Sequence, residues 1–455
     1  MSGWRGSALA VLVGLVAPGT LTAQGESAAG GAGLLTVSEA VRLALADHPS
    51  VGASRAELRE ADAAIGEAKA AWLPRLTADG SLTRFQEPMI VAPLHGFDFR
   101  RPPDFDRNLV QGELALGFTL FDGGARSAGV RAARATRGAR EAGLGAAEMT
   151  LILRVVEGYA RVLTARDVLA AQHRRIEALT SERERARRML EAGRAARVEL
   201  LRADAALSSA SADRIEAEER LRTATRSLAR LTGLDEGAVA PESMVEIRAG
   251  PATDMGPRGP ELEAAIERSP EVRRARERLR VAEEGRRVAR AAWLPRLDLA
   301  AGLLSLGSVN GDFTTEWRTG VALSYPLFTG GGRASAVSRA TAGLEAARED
   351  LREARLEARE SADRAAARIR ATGARADALR AAAEHLEEVA RIEKLALDTG
   401  AGVQTDYLRA EADLLEARTA RSDAGRDRSA ARTELARLLG ILDPNWVTRN
   451  LEEGR

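Results

Sequence analysis

The sequence predicts an α+β membrane protein. Mostly long α-helices form a helical barrel, and four β-strands per chain contribute to a trimeric, 12-stranded β-barrel. Three observations predict it. A seven-residue string occurs twice in the chain. Each copy leads into two stretches that alternate apolar and polar residues. Each pair of stretches is followed by an unusually long heptad-patterned segment.

Composition narrows the field first. The chain has 455 residues, no cysteine and a net charge of +1 with 29% charged residues. Without cysteine there is no disulfide and no lipid on an N-terminal cysteine. Balanced charge argues against nucleic acid as a partner, because such binders carry a basic excess on one face. Only Lys69 and Lys394 interrupt an otherwise all-arginine positive charge, an ordinary outcome of a GC-rich genome. Aromatics are 4%, while Ala, Arg, Glu and Leu dominate, which is the composition of long helices and coiled coils. Beyond the N-terminus no apolar run reaches the 18 residues of a membrane helix. Residues 1–23 resemble an export signal: Arg5 is the positive start, Ala8 to Val16 the short apolar core, and Leu21-Thr22-Ala23 the small-residue end.

The string Ala-Ala-Trp-Leu-Pro-Arg-Leu stands at Ala70 to Leu76 and again at Ala291 to Leu297, an offset of 221. Leu120-Phe121-Asp122-Gly123-Gly124 matches Leu327-Phe328-Thr329-Gly330-Gly331 at an offset of 207, which then holds to Leu228 and Leu435. A seven-residue identity within one chain marks a duplication. The 14-residue difference is confined to one place, which marks a loop. The expected organisation is a first repeat over 34–235, a linker over 236–259, a second repeat over 260–443 and a tail over 444–455.

Each repeat reads helix, two strands, long helix, tight turn, helix. The first helix runs from about Ser38 to Trp72, with Thr36 or Ser38 as its cap and Pro74 as its stop. Leu76, Ala78, Gly80 and Leu82 alternate with Thr77, Asp79, Ser81 and Thr83; Val110, Leu114, Leu116, Phe118 and Leu120 alternate with Gln111, Glu113 and Thr119. That is the period of strands with one apolar face. Stretches of about 9–12 residues suit tilted membrane strands, although two soluble hairpins would show the same alternation. The segment Phe85 to Asn108 between them holds the extra residues and is expected to be the surface loop. In the second repeat, Leu297, Leu299, Ala301 and Leu303 form one face, and Trp317, Val321, Leu323, Tyr325 and Leu327 the next. Trp317 and Tyr325 are spaced like membrane-interface aromatics.

From Leu151 through Val155, Gly158, Val162, Ala165, Leu169, Gln172 and Ile176 to Leu179, small and apolar residues recur in steps of four and three. This is a coiled-coil seam, in which Gly158 and Ala165 allow close approach and Gln172 weakens the contact. The long helix is expected over about Arg126 to Glu191, roughly 100 Å at about 1.5 Å per residue. Ser38 to Trp72 and Arg197 to Thr232, laid end to end, match it. Pro260 to Leu294 and Gln404 to Gly440 do the same for Arg333 to Asp398. Four membrane strands cannot close, and an open edge in lipid leaves unpaired backbone groups costing several kcal/mol each. Two copies give eight strands, whose lumen side chains fill. Three give twelve and leave a passage under cyclic symmetry.

On these motifs the chain resembles the TolC-type outer-membrane factor family. The likeness rests on both Trp-Leu-Pro strand starts, both Phe-x-Gly-Gly strand ends, and both glycine turns followed by Leu-x-Ala. It implies a passive homotrimeric exit duct in the cell outer membrane, with a periplasmic helical extension. It also implies a periplasmic adaptor, an inner-membrane pump of RND or ABC type and outer-membrane lipid as partners. The weighed alternative is a periplasmic coiled-coil adaptor or scaffold of an export system, which would hold one hairpin rather than two equal strand-bearing repeats.

The resemblance places the turns Glu191 to Arg197 and Asp398 to Thr405 at the periplasmic tips, with Gly193, Arg197, Gly400, Gly402 and Thr405 at adaptor-docking positions. It places the aperture at Asp406 and its repeat mate Glu199. A further acidic position of the best-known member falls on Arg409, whose mate is Arg202, and an arginine of that member's closing lock falls on Gly402. All four aperture residues are equally readable as solvated helix charges. Pro74, Pro295, Gly123, Gly124, Gly330 and Gly331 are expected at the strand–helix junctions. His48, His95, His173 and His385 lack metal-ligand spacing, the glycines after Asp122 lack a phosphate loop's lysine, and no catalytic constellation stands out, so no metal, cofactor or enzymatic activity is expected.

Overall fold

The computed structural model describes residues 34–92, 100, 104–247, 259–309, 311 and 313–452. The expected signal segment lies outside them. In the first repeat α1 (Val37–Asp47) and α2 (Pro49–Ala70) lead into β1 (Arg75–Ile90) and β2 (Phe105–Phe121), then α3 (Ala125–Glu191) and α4 (Arg197–Thr232). The second repeat follows with α5 (Pro260–Ile266), α6 (Pro270–Ala291), β3 (Arg296–Gly307), β4 (Thr314–Ser324), α7 (Gly332–Thr399) and α8 (Gln404–Leu438). A short α9 (Pro444–Val447) closes the chain with one wide turn over Thr448–Glu452.

Each expected first helix is two. Pro49 and Pro270 forbid the α conformation to the residue before them; His48 is extended at ψ 129° and Ser269 at ψ 143°. The freed N–H groups are capped by side chains: His48 Nδ1 accepts from Ser50 N at 3.2 Å, and Ser269 Oγ from Val272 N at 3.4 Å. Thr36, not Ser38, caps α1, accepting from Glu39 N at 3.2 Å. The second helices end at Ala70 and Ala291, a short turn before Pro74 and Pro295.

The four strands form one antiparallel sheet in chain order. Leu76 faces Leu116 in the first hairpin as Leu297 faces Leu323 in the second. Applying the two offsets converts one pair into the other, so the hairpins share a register. Their lengths differ. β3 and β4 have 12 and 11 residues, as a membrane strand requires, but β1 and β2 have 16 and 17. The expected loop Phe85 to Asn108 is therefore shorter than anticipated, because pairing resumes past an irregularity with Met89↔Asp106 and Ile90↔Phe105.

Below the sheet, α2 and α4 both pack on α3, and α6 and α8 both pack on α7. The repeats join where α3 also meets α6 and α8. Small residues recur every seventh position along the contacts: Ala203, Ala210 and Ala217 in α4, and Ala410, Ala417, Ala424 and Ala431 in α8 are all buried. In α3 the seam residues Leu151, Val155, Gly158, Val162 and Leu179 are buried, while Ala165, Leu169, Gln172 and Ile176 are half-buried. A side chain on Gly158 would stand 3.3 Å from Leu231.

The largest buried cluster among the described residues lies halfway down α3, where α1, the end of α4, the linker and α9 converge. Leu35 pairs with the linker as a parallel bridge to Met244. Tyr159 stands between them, fully buried, its hydroxyl 2.7 Å from the carbonyls of both Leu35 and Val245. The segment expected as a tail is part of this core: Val447 and Leu451 are fully buried, and Glu452 accepts from Ser38 N at 2.8 Å. Apolar Trp446, Val447 and Leu451 lie in a stretch too short to show a period, which hid them from the sequence pattern.

Candidate channel wall and aperture

The sheet has two chemically distinct faces. Leu76 and Leu82 of β1, Leu114 of β2, Leu303 of β3 and Trp317, Val321 and Leu323 of β4 share one face, and all are exposed. Such an apolar surface is stable only against lipid or protein. Trp317 opposes Leu303, and Tyr325 follows the last residue of β4. The opposite face carries Thr77, Asp79, Ser81, Gln111, Glu113, Thr119, Asp298 and Arg318. Arg318 of β4 reaches over β3 to form an ion pair with Glu113 of β2. Gly302 lies beneath that bridge: a Cβ there would sit 3.5 Å from the Arg318 Nε and 3.6 Å from the Glu113 carboxylate. Thr119 donates to Asp298 at 2.7 Å, and Arg296 reaches the same carboxylate at 2.8 Å.

The two strand–helix junctions are built alike but charged differently. Gly123 and Gly124 take φ of 68° and 88°, Gly330 and Gly331 of 57° and 82°, the left-handed region in which glycine carries no penalty. In the first junction the Asp122 carboxylate accepts from Gly124 N at 3.0 Å and Arg126 N at 2.9 Å, and binds Arg126 Nε at 3.0 Å. The Arg126 guanidinium lies 4.4 Å over the Trp72 ring. In the second junction Arg333 lies 4.5 Å over Trp293 and 5.9 Å from Tyr325. Thr329 replaces the aspartate, and the buried Nε and Nη1 of Arg333 find no hydrogen-bond partner among the described residues.

The helix tips are glycine turns. Gly193 and Gly400, at φ 69° and 79°, end α3 and α7, and Arg194 N and Ala401 N return to Met189 O and Ala396 O at 2.8 and 2.9 Å. The second tip turns tighter. Gly402 N also reaches Ala396 O, and a Cβ on Gly402 would lie 2.9 Å from Ala396 and Leu397 backbone atoms. An arginine cannot occupy this position without rebuilding the turn. Glu199 pairs with Arg202 at 3.4 Å, one helical turn on. No equivalent pair joins the exposed Asp406 and Arg409. Arg197 and Thr405 are exposed at the starts of α4 and α8.

Sequence reasoning missed a buried group above the tips. Glu182 of α3 is buried, and burial holds its carboxyl above the usual range, with the nearby Arg185 charge opposing that rise. Arg185 donates to Leu397 O of α7 at 3.0 Å, tying the two hairpins together. Tyr407 of α8 is pushed up to about 12 by burial and by the Glu411 charge. Continuing the seam past Leu179 in a step of three instead of four would have flagged Glu182. Higher up, Arg426 of α8 is buried and joins Asp167 of α3 and, at 3.5 Å, Glu246 of the linker. Between α3 and α8 runs a groove of about 260 Å³ lined by Ala171, Arg175, Leu179, Leu408, Leu414 and Arg418.

The family pattern described as "Outer membrane efflux protein" matches residues 40–234 and 262–441. The chain is 29% identical over 392 residues to protein CyaE of Bordetella pertussis, spanning 84% of this chain and 79% of that one. It is 28% identical over 430 residues to the alkaline protease secretion protein AprF of Pseudomonas aeruginosa, spanning 90% and 85%. Its fold is that of the Campylobacter jejuni CmeC outer membrane channel, with a TM-score of 0.77 at 20% identity over 91% of this chain and 88% of that one.

Proposed function

This chain belongs to the outer membrane efflux protein family, and on that premise we propose a division of labour among its parts. It is a passive exit duct of the outer membrane, with a periplasmic helical extension, serving a tripartite efflux or secretion system, and it is not an enzyme. Family members are trimeric channels that work with periplasmic adaptors and inner-membrane pumps. One observation carries the reading. The sheet has an apolar outer face and two unpaired edges, and it runs through glycine junctions into helices of 67 and 68 residues.

In this reading three copies complete a 12-stranded barrel. The bilayer meets Trp317 and Tyr325. The tips around Gly193, Arg197, Gly400, Gly402 and Thr405 meet the adaptor of an RND-type or ABC-type pump. Glu199 and Asp406 bring six carboxylates to the narrow end, where they concentrate cations. Arg202 neutralises part of that ring through its pair with Glu199, so Asp406 contributes the freer charge. Single-channel recording in planar bilayers tests it. Glu199→Ala with Asp406→Ala is expected to leave a three-chain assembly by light scattering while lowering cation preference and changing closed-state conductance. Unchanged selectivity and conductance would return these residues to plain surface charges.

A further inference from the structure

The duplication lets each strand–helix junction be read against the other. At the first, one carboxylate sits where three donors converge: Asp122 accepts from Gly124 N, Arg126 N and Arg126 Nε. The side chains of Arg126 and Asp122 are only 10% and 14% exposed, so this guanidinium is nearly cut off from water and the carboxylate is its counter-ion. At the second, the same donors recur as Gly331 N, Arg333 N and Arg333 Nε. Thr329 brings no carboxylate to them, and the Arg333 Nε and Nη1 lie buried without an acceptor among the described residues. Nη2 alone of the guanidinium nitrogens donates, to Leu327 O at 3.3 Å. The Trp293 ring covers one face of the guanidinium at 4.5 Å. A charge withdrawn from water in this way calls for a counter-ion, which the first junction supplies and the second does not.

We propose that the second junction binds the phosphate of a phospholipid, whose oxygens take the places that the Asp122 carboxylate oxygens hold in the first. A phosphodiester has one negative charge and two free oxygens, which suit a guanidinium fork. The two backbone N–H groups belong to the start of a 68-residue helix, whose dipole also favours an anion. The surroundings select a lipid over a free ion. Tyr325, whose ring lies 5.9 Å from the guanidinium, is one of the aromatics assigned above to the bilayer. Leu327 and Phe328 lead into the site 85% and 87% exposed. Their mates Leu120 and Phe121 stay 43% and 46% exposed with β3 beside them, so apolar surface persists at a junction even where a further strand covers it. Acyl chains can lie on that surface while the headgroup sits on Arg333. Gly124 and Gly331 are both exposed, so the donors remain reachable from outside. The first junction takes no such ligand, because Asp122 already fills its donors. The inference rests on the duct reading for a bilayer at this height, and adds one lipid site per chain.

Native mass spectrometry of the full chain tests it, with the detergent-extracted assembly titrated with phosphatidylglycerol. One retained lipid per chain is expected. Arg333→Gln should weaken retention by at least about tenfold, the loss of one charge-assisted contact. Thr329→Asp keeps the arginine and supplies an internal carboxylate in the manner of Asp122. It should weaken retention to the same extent, which separates competition for the donors from misfolding. Arg126→Gln, at the matched position, should retain as much lipid as the parent chain. Equal retention by the parent, Arg333→Gln and Thr329→Asp overturns the site. In a second arm, millimolar inorganic phosphate should leave the lipid bound. If it displaces the lipid instead, the occupant is a free anion and the lipid is overturned. A sample that light scattering counts as three chains but that retains no lipid overturns the site and leaves the duct standing. A monomer by light scattering overturns both.

Discussion

The two repeats are copies in backbone but not in how they are secured. At the junctions, Asp122 holds Gly124, Arg126 and the start of α3, while Thr329 leaves Arg333 resting on Trp293 and Tyr325 with one hydrogen bond, to the Leu327 carbonyl at 3.3 Å. At the tips, the first turn leaves room around its glycine and the second leaves none around Gly402. At mid-height, the first repeat anchors Tyr159 in the largest buried cluster, where the second has Ala366. Duplication supplied one scaffold twice. The first copy carries the links to the linker and the chain end, and the second carries the tight turn. A residue's importance therefore cannot be transferred from one repeat to the other by offset alone.

Substitutions at matched positions sharpen that contrast. The largest effect is expected at Gly402. Its repeat mate is Ala195, which already carries a side chain, whereas Gly402→Arg must displace backbone. It should cost about 2–3 kcal/mol in the local turn and expose the second tip to limited proteolysis. Ala195→Arg should leave the first tip as resistant as before. Equal proteolysis of the two variants would erase the distinction.

Next in size is Tyr159→Phe. It removes the hydroxyl between the Leu35 and Val245 carbonyls and should cost about 1 kcal/mol, read as a lower thermal midpoint with secondary structure retained. Ala366→Ser at the matched position should be nearly silent. Smaller still is Thr329→Asp. An aspartate at the start of α7 would meet the helix dipole and the unpartnered Arg333 nitrogens, a gain of about 0.3–1 kcal/mol. Asp122→Thr should lose a similar amount, and the assembly's heat resistance measures both.

The subtlest test is pH at Glu182, whose mate is the exposed Val389. Its carboxyl is raised by burial, so the protonated form favours the packed state. That stabilisation is complete below the ordinary carboxylate range and is lost as pH rises through the elevated value. Protection from hydrogen exchange over α3 and α7 near the tips, taken relative to the intrinsic rate at each pH, should be lower at neutral pH than in acid, and Glu182→Gln should flatten the difference. A pH response unchanged in that variant would assign it to other groups.

How much of this was legible in the sequence depends on the range of the pattern involved. Period two in the strands and the heptad in α3 extend over many residues, and α4 falls on Arg197 to Thr232 as the sequence suggested. Features set by one residue against a distant partner were not legible. Pro49 breaks a helix whose apolar period runs straight through it. Gly302 reads as a weak strand residue until Glu113 and Arg318 are seen meeting above it. Of the four residues proposed for the aperture, matched positions and charges are readable from the sequence. That Glu199 holds its arginine while Asp406 does not is seen only in the side-chain geometry.

The longer first hairpin has a consequence outside transport. β1 and β2 continue about five residues beyond what the bilayer needs, while β3 and β4 stop with it. Three copies make a battlement, with three raised merlons from the first repeat and three low gaps from the second. Any body too large to enter such a ring would meet the hairpins of the first repeat before those of the second.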